Sequence, residues 1–222
     1  MQVEWYGQSA FRLAGGGHTV AIDPFGDMSA LAGRGIQWEY PPIVGLDAEL
    51  LLVTHEHGDH NAVEVVGGAP AVIRSTAGTL ESPLGPVVGI VSEHDERAGT
   101  ERGANSIYVF ELDGVKVAHM GDFGQSSLRD EQARAMEGTD LLILPVGGGP
   151  TIGAQGAREI VDALAPRWVV PMHYRTPRIG FLDTADEFLG SFGQVIRLEQ
   201  PLFATEELPG GDGPLAVVPA AP

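Results

Sequence analysis

The stretch "LLVTHEHGDHNAV", residues 51–63, places His55, His57, Asp59 and His60 close together directly after an apolar run. Imidazole nitrogen and carboxylate oxygen at that density suit the binding of a divalent metal ion. His55 and His57 stand two apart at the end of an extended run, so their side chains face the same way and can grip one ion together. Asp59 and His60 follow across Gly58, where the chain must turn, and approach from another direction that suits a second ion. More donors sit at equivalent places: His94 follows "VVGIVSE", Asp122 lies three residues after His119 at the close of "VKVAHM", and His173 ends "WVVPM". Each closes a strand-like run, and loops leaving the same end of neighbouring strands converge on one sheet edge. His18 sits beside the Gly15 to Gly17 turn and reads as a solvent-exposed side chain with no role.

Periodicity supplies the elements that carry these donors. "QVEWYG", "FRLAG" and "HTVAIDPF" are short strands, the last two joined by a turn over residues 15–17. Residues 26–47, with Trp38 and Tyr40, read as a long ordered loop of the kind that borders a site. "AELLLVTH" is a buried strand, and "NAVEVVGG" is expected to be a helix. Strand and turn material continues through "PAVIRST" and "VVGIVSEH". "SIYVFELDGVKVAHM" is a hairpin turning at Asp113-Gly114, "DEQARAMEG" a helix, "DLLILPV" a strand, "AQGAREIVDALAP" an amphipathic helix, and "RWVVPMHY" a strand. The expectation is one domain over residues 1–200, made of two β-then-α halves. Residues 201–222, rich in Pro, Gly and Ala, are expected to form a tail that packs as an extended strip or stays loose.

Composition narrows the chemistry. The chain has 222 residues, no cysteine and a formal charge of −17. Thiolate ligands, disulfides and a cysteine nucleophile are thereby excluded, and a grip on nucleic acid is disfavoured because its backbone is a polyanion. No signal-peptide pattern or membrane-length apolar run is legible, so the expected location is the cytoplasm and no membrane partner is expected. The expected partner is a small-molecule substrate, and assembly into a homo-oligomer stays open.

These residues resemble the metallo-β-lactamase superfamily over nearly the whole chain: "THEHGDH" is similar to its central motif, "EHDERAG" to its next histidine loop, "HMGD" to its bridging-aspartate loop and "PMHY" to its last histidine. The resemblance implies an α/β fold, a four-layer αββα sandwich from two similar halves. It also implies that His55, His57 and His94 bind a first metal, that Asp59, His60 and His173 bind a second, and that Asp122 bridges. "WYGQSAFRL", "IDPF", "YPPI", "RGANSIYVF" and "LPVGG" look most similar to the compact branch that includes ascorbate-phosphate lactonase. Gln8 and Pro150 depart from that branch, which often has a histidine and an aromatic residue at these places. An acidic residue would replace His57 in the flavodiiron type, and the inserted domain of RNA-processing members is lacking.

Five imidazoles and two carboxylates suit two divalent ions, zinc first, with manganese or iron as alternatives. Such a pair lowers the pKa of a bridging water to about 7 and offers hydroxide as nucleophile, so the expected enzyme is a metal-dependent hydrolase of a small ester, lactone or phosphodiester. The alternatives are an iron-dependent oxidoreductase on the same fold and a non-catalytic protein with a vestigial site. Asp59 is a candidate for catalysis as well as for binding metal. His119 either donates a proton to the leaving group or orients a ligand, the second being favoured. Tyr174 points into the pocket or into the core. The amides of "PVGGGPTIGAQG" are candidates for polarising a substrate oxygen. Arg175 and Arg178 either recognise an anionic substrate group or pair with surface carboxylates such as Asp183 or Glu187.

Overall fold

The computed structural model describes residues 1–210 and 213–222. Its first half contains β1 (Gln2–Gly7), β2 (Ala10–Gly15), β3 (His18–Ile22), β4 (Leu46–Asp47), β5 (Leu50–Val53), β6 (Val66–Gly67) and β7 (Ala71–Arg74). The second half contains β8 (Gly78–Ser82), β9 (Gly85–Glu93), β10 (Ala104–Leu112), β11 (Val115–His119), α1 (Asp130–Met136), β12 (Leu141–Pro145), α2 (Ala154–Leu164) and β13 (Trp168–Met172). The chain closes with α3 (Asp186–Leu189), β14 (Val195–Arg197), β15 (Leu202–Ala204) and β16 (Leu215–Val218).

Two sheets make the body, a six-stranded one ordered β15-β1-β2-β3-β5-β7 and an eight-stranded one ordered β14-β16-β13-β12-β11-β10-β9-β8. The same plan occurs in both: the β2–β3 hairpin is followed by β5 and β7, each parallel to its predecessor, and the β10–β11 hairpin by β12 and β13 in the same way. Parallel neighbours need a crossover, so each of these strands leaves from the same edge of its sheet. The hairpin turn at Asp113-Gly114 has both residues at positive φ, 56° and 73°, as a two-residue turn matching the strand twist requires.

The two halves differ in what fills the crossovers. The second half uses α1 and α2, whereas the crossovers between β3 and β7 contain short 3-10 turns, at Ser29–Arg34 and Val63–Val65, and the paired two-residue strands β4 and β6. The helix expected in "NAVEVVGG" is therefore one turn followed by β6. Three β-branched valines and a Gly pair disfavour a helix there, while Ala62 and Val66 are already buried by that single turn. The outer face of the first sheet is covered by this turn and by the 26–47 loop. Alternation along β5 shows it: Leu50 and Leu52 face the main core, and Leu51 and Val53 pack with Phe25, Tyr40, Ile43 and Val66.

Helix α2 buries Ala157, Ile160 and Val161, the spacing of one helical face. It ends where Ala165 adopts the left-handed conformation before Pro166. The segment from Pro201 is part of the sandwich rather than a tail. β15 pairs with β1 at the edge of the first sheet, and β16 lies between β13 and β14 in the second. Its "LAVV" run is fully buried, and a short apolar run with strong β-propensity outweighs the flanking Pro and Gly. No helix among the described residues is long and apolar enough to cross a membrane.

Candidate metal centre

The site is built by the turn between β1 and β2 and by loops leaving the ends of β3, β5, β9, β11 and β13. Donor atoms of His55, His57 and His94 lie within 4.8 Å of one another, and so do those of Asp59, His60 and His173. Asp122 stands between the groups: its Oδ2 is 3.2 Å from His94 Nε2, 3.4 Å from His60 Nε2 and 3.4 Å from His173 Nε2. Seven side chains from four loops are thus gathered at one edge of the sandwich, one loop from the six-stranded sheet and three from the eight-stranded one.

Hydrogen bonds fix which nitrogen of several rings faces inward. His94 Nδ1 donates to the Pro150 carbonyl at 3.0 Å, a pure acceptor, so in the neutral ring Nε2 carries a lone pair toward Asp122. His60 Nδ1 is 3.0 Å from Asp23 Oδ2, which leaves its Nε2 aimed at Asp122 and at Asp59 Oδ2, 3.6 Å away. Thr54 Oγ1 spends its proton on Asp23 Oδ2 at 2.7 Å, so it accepts from His55 Nδ1 at 3.1 Å. His55 Nε2 then faces His57 Nδ1 at 3.0 Å.

The arrangement fits metal ions on its own physical terms. Acceptor faces acceptor between His94 and Asp122, and the His60 Nε2 and His173 Nδ1 atoms are buried without hydrogen-bond partners. Asp23 and Asp122 are buried carboxylates paired with histidines and with no Lys or Arg among the described residues. The buried Asp122 carboxylate, with imidazole nitrogens of His94, His60 and His173 converging on one oxygen, is a donor set that a cation would satisfy.

Charge states follow from burial and neighbours. Burial first, then the charge on nearby His60, pushes the His55 pKa down to about 3. Burial likewise lowers that of His57 and of His173. For His60 burial also acts downward, but the carboxylates of Asp122, Asp59 and Asp23 outweigh it and hold the ring well above its usual value. Burial raises Asp122, yet His173 and His60 hold its carboxyl well below the usual range.

Glycines let the loops close on the ligands. A Cβ on Gly147 would lie 2.2 Å from the His173 carbonyl oxygen, and one on Gly124 would lie 2.5 Å from that of His94. Gly121, at φ 55°, leaves no room for a side chain beside Asn105 and Thr54. The glycine-rich loop after β12 is therefore a packing device: Gly147 N–H donates to the His173 carbonyl and Gly148 N–H to that of Ile152, so neither amide is free to polarise a substrate oxygen.

His119 is outside the ligand groups. Its Nδ1 accepts from Gly121 N–H at 3.2 Å, so its Nε2 donates to the Ser9 carbonyl at 3.1 Å. Both nitrogens are committed, which removes it as a proton donor and makes it a positioning residue. Tyr174 belongs to the core, stacked on Trp5 with centroids 5.6 Å apart. Arg175 Nε donates to the Leu182 carbonyl and Arg178 Nε to that of Pro222. Among the described residues neither forms an ion pair with Asp183 or Glu187. His18 is partly exposed and pairs with Glu49 at 3.0 Å.

Three residues escaped the motif reading, and a fourth, Gln8, was singled out in it only as a departure from the branch. Asp23 binds Thr54 N, Thr54 Oγ1 and His60. Ser9 Oγ donates to Asp122 Oδ1 at 3.2 Å. Asn105 accepts from Asp122 N–H and donates to the Met120 carbonyl, so it sets the loop that carries Asp122. Gln8 is buried at φ 48° with neither amide atom partnered. Asp23 carried a signal, since an aspartate directly after a strand in "IDPF" occupies the place that Asp122 nearly occupies after β11.

A model of the β-lactamase superfamily domain matches residues 2–173. The chain belongs to the metallo-β-lactamase superfamily. Among its superfamily relatives, a metal-dependent hydrolase from Thermococcus onnurineus is 35% identical, the match covering 79% of this chain and 85% of the relative. Another, from Thermus thermophilus, is 30% identical over 79% and 84%. A crystal structure from Thermotoga maritima, described as a candidate Zn-dependent hydrolase of the superfamily, superposes with TM-score 0.78 at 29% identity and covers 99% of both chains. The present superfamily member is a metal-dependent hydrolase.

Proposed function

We propose that this hydrolase works with two divalent ions, zinc first, on a small ester, lactone or phosphodiester. His55, His57 and His94 would hold one ion, Asp59, His60 and His173 the other, with Asp122 between them. The observation that carries the reading is Asp122 Oδ2 within 3.4 Å of three imidazole nitrogens from three loops. When bound, such ions supply Lewis acidity and acidify water into the neutral range.

The chain's own groups do the rest. Asp23, Thr54 and the Pro150 carbonyl hold His60, His55 and His94 in the tautomer whose lone pair faces inward. Ser9 and Asn105 hold the Asp122 carboxylate and its loop. Asp59 is the most solvent-open carboxylate of the centre, its side chain 26% exposed, and is the group placed to pass a proton between substrate and solvent.

Elemental analysis of the purified protein, joined to a panel of ester, lactone and phosphodiester substrates with and without chelator, tests the proposal. Two ions per chain and chelator-sensitive turnover are expected. No uptake of zinc, manganese or iron, or turnover indifferent to chelator, would overturn it.

A further inference from the structure

A cavity of about 380 Å³ is walled by Phe25, Trp38 and Tyr40 with Met28 and Ile43, on chain segments that continue from loops of the candidate metal centre. Trp38 is held edge-to-face by Phe25 and by Tyr40, with centroids 5.1 and 5.5 Å apart. Two loops of the candidate metal centre line it and two further segments touch its Tyr40 wall. Phe25 lies two residues beyond Asp23, a span of at most about 7 Å, and Glu64 lies four beyond His60. Tyr40 packs onto Gly7, whose Cβ would fall 2.4 Å from its ring, and Gly7 leads into Ser9, the donor to Asp122. The Tyr40 hydroxyl is 3.1 Å from Thr176 Oγ1 on the loop leaving His173.

The charges at the cavity have one sign. Of the described residues that line it, Asp27 and Glu64 are the charged ones, both acidic and both exposed. The formal charge of −17 for the chain adds to the same field. A small, largely apolar pocket with three aromatic side chains in its wall and carboxylates at its rim selects a compact apolar group bearing positive charge.

We infer that this cavity is a substrate subsite for an aryl- or alkylammonium group, so that the hydrolase acts on an ester, lactone or phosphodiester carrying a cationic amine. The inference rests on the hydrolase reading for the occupant's being substrate, and on the cavity alone for its chemistry. It assigns the specificity that Arg175 and Arg178, with their Nε atoms bonded to backbone carbonyls, were expected to supply for an anion.

Calorimetric titration of the metal-loaded protein with 3-phenylpropylammonium and with its neutral counterpart 3-phenylpropanol tests it. The ammonium should bind at least about 5-fold more tightly than the alcohol. Trp38→Ala should abolish saturable binding of the ammonium. Glu64→Gln, at an exposed position where folding is not at risk, should weaken the ammonium by about 3-fold while sparing the alcohol. Equal affinity for the two probes, or an unaltered ammonium affinity in Trp38→Ala, overturns the subsite. Ammonium binding without turnover on any substrate would remove the hydrolase chemistry and keep the cation site; turnover with no ammonium binding would do the reverse.

Discussion

Asp23 Oδ2 lies 3.0 Å from His60 Nδ1, with both side chains fully buried. The same carboxylate accepts from Thr54 N–H and Thr54 Oγ1, and Thr54 Oγ1 in turn holds His55. One side chain thereby orients two imidazoles assigned to different ions. Asp23→Asn keeps the size and an acceptor for Thr54 but loses the charge behind His60. Metal affinity should fall about 10- to 100-fold, read by competition with a chromophoric chelator, with the far-ultraviolet circular dichroism unchanged. Unchanged affinity would make Asp23 a folding residue only.

Metal removal should also register as stability. Ions that bind the folded chain at about 100 times their dissociation constant add about 2.7 kcal/mol, so chelation should lower Tm by roughly 5–10 °C in a chain of this size. Scanning calorimetry before and after dialysis against chelator measures it. An identical Tm would mean that the ligand cluster is stable without a cation.

Two glycine variants should move in opposite directions. Gly147→Ala would set a Cβ 2.2 Å from the His173 oxygen and 2.7 Å from Tyr174 Cα, and should destabilise by about 1–3 kcal/mol while displacing a candidate metal ligand. Gly156→Ala sits inside α2, where its Cβ would meet Ile152 at an ordinary 3.5 Å. It should stabilise by about 0.5–1 kcal/mol. Denaturant titrations compare the pair.

Tyr108 ties the sheets together, its hydroxyl donating to the Val53 carbonyl at 3.1 Å. Burial pushes its pKa up to about 12. Because the folded value lies above the unfolded one, the protonated form favours folding. That contribution, on the order of 2 kcal/mol, is whole below about pH 10 and is lost as pH rises toward about 12. Tyr108→Phe should therefore be less stable at pH 8 and show a shallower fall between pH 10 and 12 in urea melts. An equally steep alkaline limb would assign the loss to other groups.

By itself the sequence determined the set of candidate donors and the strand ends at which they gather. His55, His57, Asp59 and His60 are neighbours in the chain, and His94 and His173 directly follow runs whose apolar periodicity marks them as strands. Both are local properties, and local propensity and spacing survive without knowledge of partners. Tertiary structure alone decided what each remaining side chain faces. His119 and Asp122 are three residues apart, yet one is closed off by Ser9 and Gly121 while the other meets three histidines. The strand at Leu215–Val218 takes its place only because a slot exists between β13 and β14. Arg175 and Arg178 spend their Nε donors on carbonyls that happen to lie within reach, and Asp23 becomes a support of the metal centre because β3 pairs beside β5. Hydrogen-bond partners and close approaches are set by strand register across distant parts of the chain, and no residue's own identity encodes which neighbour that register will bring.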